Sequence, residues 1–306
     1  MRITILGAAA GGGFPQWNCN CRNCAGVRNG TVRAKSRTQS SIFIRNDTDA
    51  DGILFNASPD ILEQIRNSPT LQPGRASRDT AIAGVVLMDG QIDHTTGLFM
   101  LRERPTPMPI WCTDPVEQDL QQGNPIFRVL SHFCGVQRQR ISVDGTVFRV
   151  PGVEGISLQA IALISKAAPY SPHREAPVDG DNIGLLITDT TTKSSLFYAP
   201  GLGEITAPIM DAMANADCVM VDGTFWTDDE MITLGLSKKT ARSMGHLPQS
   251  GPDGMVQTMA KLPSSVRRML IHINNSNPIL DEDSPERAEL TAAGIALCED
   301  GTEIQL

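Results

Sequence analysis

Apolar and polar positions along the chain fall into two rhythms. Runs of β-branched and other apolar residues, most of them ending at Gly, Asp, Asn or Pro, recur at residues 2–6, 40–44, 52–56, 82–88, 109–112, 155–164, 182–188, 195–198, 217–222 and 267–273. Each predicts a strand. Helical spacing appears between some of them, at residues 60–68, 114–122, 206–214, 254–262 and 284–293. In the first of these, Ile61, Leu62 and Ile65 repeat at helical intervals. Two others open on a start signal, Asp114 before Pro115 and Ser284 before Pro285, each read as an N-cap residue followed by proline at the first helical position. Strands with helices interspersed, and several hairpin-like strand pairs, predict a layered α/β or α+β fold. No internal repeat or low-complexity linker interrupts the pattern, so residues 1–306 read as one domain. The polar, Gly/Pro-rich stretches at 69–79 and 166–181 are expected to be active-site loops.

Composition narrows the class. The chain is 41% hydrophobic and 20% charged over 306 residues, long enough to bury a large core without disulfides. Its net charge of −8 repels phosphate backbones, so no nucleic-acid partner is expected. No apolar run is long enough for a membrane span. The N-terminal segment superficially imitates a signal peptide, but residues 2–6 alternate like a first strand and Gly11-Gly12-Gly13 stop the run, which predicts a cytoplasmic protein. The seven cysteines are an odd number with three crowded together, a pattern of metal binding in a reducing compartment.

Three clusters carry chemistry. In Asn18-Cys19-Asn20-Cys21-Arg22-Asn23-Cys24, the thiols of Cys19, Cys21 and Cys24 can converge on one ion at little loop-closure cost, and zinc holds thiolates. Free cysteines this close in a loop would tend to oxidise. A fourth ligand must come from elsewhere in the chain. Cys112, Cys134, Cys218 and Cys298 stand singly in apolar surroundings and read as core residues. The second cluster follows an apolar strand. Val85-Val86-Leu87-Met88 runs into a loop with Asp89, Asp93 and His94, then into a helix led by Gly97. Carboxylates and an imidazole at a strand's C-terminal end are well placed for a metal, although an ordinary helix N-cap also explains such an Asp. Thirdly, three of the five histidines, His94, His246 and His272, end apolar strands or sit in Gly-flanked turns, which points to a shared site.

The run Asp89-x-Gln91-x-Asp93-His94-x-x-Gly97-Leu98 resembles the His-x-His-x-Asp-His-x-x-Gly-Leu signature of the metallo-β-lactamase superfamily. The resemblance implies an αββα four-layer sandwich with the active site at one sheet edge. It also makes Asp93 and His94 survivors of the second metal position, with Asp89 and Gln91 where the first position has two histidines. His272 matches the family's last ligand, at the end of a late strand. The turn Tyr198-Ala199-Pro200-Gly201-Leu202 lacks the family's bridging Asp. Cys19-x-Cys21-x-x-Cys24 is similar to the structural zinc loop of the phosphodiesterase branch, where a His follows the final active-site His by three residues. Asn275 occupies that place here and is the candidate fourth ligand. Asp222-Gly223-Thr224-Phe225-Trp226 with Gly245-His246 resembles a pair that works on a proton in the same branch. Taken with Gly12-Gly13-Phe14-Pro15-Gln16-Trp17 and His272-Ile273-Asn274-Asn275-Ser276-Asn277-Pro278, these motifs resemble the pyrroloquinoline quinone (PQQ) biosynthesis B family over the whole chain.

That resemblance implies work on a Glu–Tyr-derived precursor of PQQ, as an iron-dependent hydroxylase of the tyrosine ring. Two His and one carboxylate leave open positions on Fe(II) for substrate and O₂. Asp93, His94 and His272 supply such a set, with Asp89 an alternative or additional ligand, and His246 and Asp222 would move ring protons. Arg174, His173 and Lys193 are candidates for holding substrate carboxylates. The expected cofactors are structural zinc on the cysteines and catalytic Fe(II). The expected partners are the precursor or PQQ itself, other proteins of the pathway and a second copy of the chain. Two other classes stay open. One is a carrier that binds PQQ or its precursor and aids its transport to the periplasm. The other is a phosphodiesterase-like hydrolase, disfavoured by the missing donors of the first metal position.

Overall fold

In the computed structural model, which describes residues 1–46 and 51–306, the alternation along each strand decides what each face is buried against. One sheet is built from β1 (Arg2–Gly7), β2 (Ser41–Arg45), β3 (Gly52–Phe55), β4 (Ile82–Val86), β5 (Met108–Cys112) and β6 (Val136–Arg140). The other is built from β7 (Val147–Phe148), β8 (Ile156–Ala162), β9 (Ile183–Asp189), β10 (Ser195–Ala199), β11 (Cys218–Asp222), β12 (Arg267–Ile271) and β13 (Ile295–Leu297). A final strand, β14 (Glu303–Gln305), returns to the first sheet. The orders are β14-β1-β2-β3-β4-β5-β6 and β13-β12-β11-β10-β9-β8-β7.

Ile42 and Ile44 on β2, Ile53 and Phe55 on β3, Leu196 and Tyr198 on β10, and Met269 and Ile271 on β12 all face inward, where the sheets share one apolar core. The residues between them face the other way. Phe43 and Leu54 pack under Ile61, Val116 and Ile126 of helices outside the first sheet. Phe197, Val219 and Leu270 pack under Ile209, Met255 and Leu290 of helices outside the second. This is the αββα sandwich expected, produced by a side-chain period of two on each strand.

Strands β3 to β6 run parallel, as do β10 to β13. The C-terminal ends of β4, β11 and β12 therefore come to the same end of the sandwich, and a crevice beyond such ends is where α/β sheets commonly bind ligands. Two isolated bridges tie the sheets there, Ala9 to Ile273 and Asp89 to Asn182.

All ten expected strands are present within a few residues of their expected bounds. The four strands not foreseen, β6, β7, β13 and β14, are the four sheet edges. Edge strands are short and carry polar residues that discourage pairing between molecules, and the β6 sequence Val-Gln-Arg-Gln-Arg has no apolar run to read. Helix bounds were less legible. Thr113, not Asp114, is the N-cap, accepting from Val116 N, so Asp114 is already in the first turn. Ser284 is a cap as expected, accepting from Arg287 N at 3.1 Å. The helix expected to begin at Gly97 begins at Ile92, so Asp93 and His94 sit on a helical turn, Ile92–Thr95, and not in a loop. Gly97 continues it as a 3₁₀ helix, Thr96–Leu101. Residues 69–79, expected beside the active site, instead help line a separate cavity with Met100 and Arg104.

Gly97 lies against the backbone of the preceding segment. Its N–H donates to Ala57 O at 2.8 Å, and a Cβ there would lie 2.1 Å from Ser58 O and 2.7 Å from Ala57 O. Gly97→Ala is therefore expected to destabilise the fold by about 2 kcal/mol or more through forced backbone movement. Thermal or urea unfolding checks this, and an unchanged midpoint would contradict the close packing.

Candidate active site

At the shared end of the sheets lies a cavity of about 290 Å³, lined among others by Asp89, Asp93, His94, Phe225, His246 and His272. They arrive from several elements. The helical turn after β4 presents Asp93 and His94. The end of β11 presents Asp222, with Thr224 two residues on. His272 follows β12 directly, with φ of 60°. His246 follows the helix Ala241–Met244, which closes on Gly245 in the left-handed conformation.

Hydrogen bonds fix the imidazoles. His94 Nδ1–H donates to both carboxylate oxygens of Asp89, at 2.8 and 2.9 Å. That leaves Nε2 with a lone pair, and this buried atom has no hydrogen-bond partner. Thr224 Oγ1 lies 2.5 Å from Asp222 Oδ1 and 2.9 Å from His272 Nδ1. The hydroxyl has one proton. Donating it to the carboxylate, Thr224 accepts from His272 Nδ1–H, and His272 Nε2 also keeps a lone pair. Nε2 of His272 stands 3.2 Å from Asp93 Oδ2, and Nε2 of His94 stands 3.8 Å from the same oxygen.

Two imidazole nitrogens and a carboxylate facing one another in a buried place favour a positive charge among them, a proton or a metal ion. The titration behaviour agrees. Burial works against a charged imidazole at position 94, but the carboxylates of Asp89 and Asp93 prevail and raise His94 to about 9. Burial likewise opposes the Asp93 carboxylate, yet His94 and His272 hold it well below its usual range. The donor atoms of Asp93, His94 and His272 lie within 4.8 Å of one another, so these residues fit a cation. Asp222, His246 and His272 form a second group at that spacing. There, however, His246 Nδ1–H donates to Asp222 Oδ2 at 2.6 Å and the facing nitrogen of His272 is engaged by Thr224. Asp222 is fully buried; burial opposes its charge, but His246 and the Leu202 N–H keep its carboxyl below the ordinary value. The reverse pull raises His246 against the cost of its burial.

The three thiols expected to bind zinc are brought together. Cys19 and Cys21 precede the helix Arg22–Asn29 and Cys24 lies in its first turn, with all three sulfurs within 4.8 Å. The side-chain amide of Asn275 spans them, its Nδ2 at 3.1 Å from Cys19 Sγ, 3.3 Å from Cys24 Sγ and 3.7 Å from Cys21 Sγ. Turning that amide over presents Oδ1 to the same point. Burial pushes the Cys24 thiol up to about 11, a cost that a bound cation would remove.

The other expected residues separate. Asp89 is placed behind His94, with both oxygens on its Nδ1, so it orients that imidazole and does not share its position as a ligand. Gln91 Nε2 reaches back to Lys166 O at 3.4 Å, so the first metal position of a dinuclear hydrolase has neither of its histidines. Arg174 lines the cavity, as expected. His173 does not; its Nδ1 pairs with Asp181 at 3.1 Å. Lys193 is in the turn between β9 and β10, donating to Thr190 O. The cavity lies at the opposite ends of those strands, some 16 Å away for a five-residue strand, so Lys193 is removed from the site. Two contributors were missed. Thr224 was quoted only as part of a motif, and nothing local marks a hydroxyl as the junction of three side chains. Lys239, also on the cavity wall, reads in sequence as one of two ordinary neighbouring lysines.

A beta-lactamase superfamily domain matches residues 52–273. Coenzyme PQQ synthesis protein B of Azoarcus sp. (strain BH72) is 60% identical over 306 residues, covering 100% of both chains. The crystal structure of Zn²⁺-bound PqqB from Methylobacterium extorquens is 33% identical, with a TM-score of 0.90 and 100% of each chain covered. A diphosphatase of the PhnP family shares the fold at 18% identity, with a TM-score of 0.67 and coverage of 99% of this chain and 97% of that one.

Thr224→Val removes the acceptor that holds His272 in its tautomer. Metal affinity is expected to fall about 10- to 100-fold, read by competition with a chelator, and unchanged affinity would remove Thr224 from the account. A second outcome concerns Glu230, which accepts from Ser276 Oγ at 2.5 Å and Trp226 N at 2.7 Å and which burial raises to about 7 from 4.5. Because its folded value is the higher, the folded state holds the proton longer. Stability is fully present below about 4.5 and falls as pH rises through 7, by on the order of 3 kcal/mol. Glu230→Gln is expected to lack that decline and to exceed the parent in stability at pH 8. Parallel urea titrations across this range test it, and parallel pH profiles would contradict it.

Proposed function

The chain belongs to the coenzyme PQQ synthesis protein B family of the beta-lactamase superfamily, and on that premise we propose that it serves PQQ synthesis as an iron-dependent oxygenase hydroxylating the tyrosine ring of a Glu–Tyr-derived precursor. The observation that carries this reading is the mutual placement of Asp93, His94 and His272, a carboxylate and two imidazoles whose free lone pairs face one cavity. Fe(II) held by that set would supply O₂ activation, since two His and one carboxylate leave coordination positions open. Cys19, Cys21 and Cys24, with Asn275 above them, would hold zinc and fasten the chain beside the site.

The remaining residues have proton and positioning work. Asp222 holds His246 Nδ1–H, which fixes the tautomer with Nε2 free as an acceptor for a ring proton. His246 is partly exposed while Asp222 is sealed, so the imidazole meets substrate and the carboxylate stabilises the imidazolium that results. Phe225 stands edge-on to His246, with ring centres 5.8 Å apart, and gives the same wall an aromatic face for a phenol. Asp89 keeps His94 from rotating. The missing histidines of the first metal position disfavour hydrolysis.

The test is anaerobic loading with Fe(II), then addition of the precursor, O₂ and a two-electron reductant, followed by mass spectrometry. A gain of oxygen atoms is expected. Asp93→Ala and His272→Ala should lose both bound iron and product. His246→Ala should keep its iron and lose at least about 10²-fold in kcat. Tight binding with no change of mass would make the protein a carrier, and iron with turnover retained in Asp93→Ala and His272→Ala would overturn the site.

A further inference from the structure

The cavity is lined by two cationic side chains that no acid among the described residues pairs. Arg174 reaches it from the loop after β8, and Lys239 reaches it from the segment before the helix Ala241–Met244. Among the described residues, neither forms an ion pair. The Arg174 guanidinium touches only the carbonyl of Ala167, and the Lys239 side chain has no hydrogen-bond partner. Their burial places them at the mouth. Arg174 is half-buried and Lys239 exposed, whereas His94 and His272 are nearly sealed.

We infer that Arg174 and Lys239 are the specificity-determining residues of this cavity, each taking one carboxylate of an aromatic diacid whose phenol ring points inward to His246 and His272. The inference rests on reading this cavity as the substrate site. A planar guanidinium suits a carboxylate in two-point contact, and a flexible ammonium accommodates a second acid at variable distance. The chain's net charge is −8, so an anion is attracted to this place by local charge and not by the molecule as a whole. Phe225 and Met244 on the same wall supply apolar surface for the ring between the polar ends. A neutral phenol would leave both cations unused. A monoacid would engage one.

The probe is 5-hydroxyisophthalate, a phenol with two carboxylates, titrated calorimetrically into the protein as purified, beside 3-hydroxybenzoate with one. The diacid is expected to bind at least tenfold tighter than the monoacid. Arg174→Gln and Lys239→Gln should each weaken the diacid about tenfold, near 1.4 kcal/mol, with metal content unchanged. Lys239→Arg should restore it. With the precursor, the same Gln variants should raise KM and leave kcat close to that of the parent. Equal affinity for both acids, parental binding in both Gln variants, or no measurable binding of the diacid to the parent would each overturn the inference. The binding experiment does not depend on turnover. Weakening in the variants with no oxygen inserted into any substrate would leave the clamp standing and remove the oxygenase, and the converse would do the reverse.

Discussion

The left-handed turn at His272 is the constraint on which the rest of the site depends. Ile271 faces the inter-sheet core and Leu270 faces the helices, so an extended residue 272 would follow Leu270 outward, away from Asp93. A φ of 60° turns it to the strand end instead. A non-glycine residue in that region costs about 1–2 kcal/mol. The surrounding bonds hold it there. Ile273 N donates to Ala8 O, and Asn274 N donates to Thr224 O. The next residues carry the consequence onward, because Asn275 lies over the cysteines three positions after His272. One short segment thus fixes the imidazole of one metal group and the amide beside the other. Asn277 pins it from behind, donating to Gly223 O and Gln249 Oε1, while its carbonyl accepts from Asn23.

Charge then does what shape alone would not. The cavity collects Asp89, Asp93 and, behind it, Asp222, in a place where histidines are the nearest counterweights. Two of these carboxylates are each assigned to an imidazole Nδ1, Asp89 to His94 and Asp222 to His246. The third, Asp93, faces Nε2 of His272 and Nε2 of His94. The arrangement sorts three similar acids into two that orient histidines and one that faces two imidazole nitrogens.

Much of this was legible in the sequence, and the losses have physical causes. Central strands announce themselves because both faces are buried, while β6 carries polar residues that hide the pattern and β7 is only two residues long. The convergence of Cys19, Cys21 and Cys24 followed from their spacing, and that of Asp93, His94 and His272 from the family resemblance. The role of Asp89 did not, since whether a carboxylate binds a metal or a metal's ligand is decided by a helical turn begun at Ile92. Lys193 was misplaced because sequence gives no measure of which end of a hairpin faces a site. Thr224 escaped because its contact with His272 spans 48 residues of chain, and Lys239 because nothing local places it on the cavity wall.

Anomalous diffraction from crystals loaded with Fe(II), recorded on both sides of the iron and zinc absorption edges, tests the placement of the metals most directly. The account predicts an iron peak bounded by Asp93, His94 Nε2 and His272 Nε2 and a separate zinc peak among Cys19, Cys21 and Cys24. Iron found instead between Asp222, His246 and His272, or bound at Asp89, would contradict it.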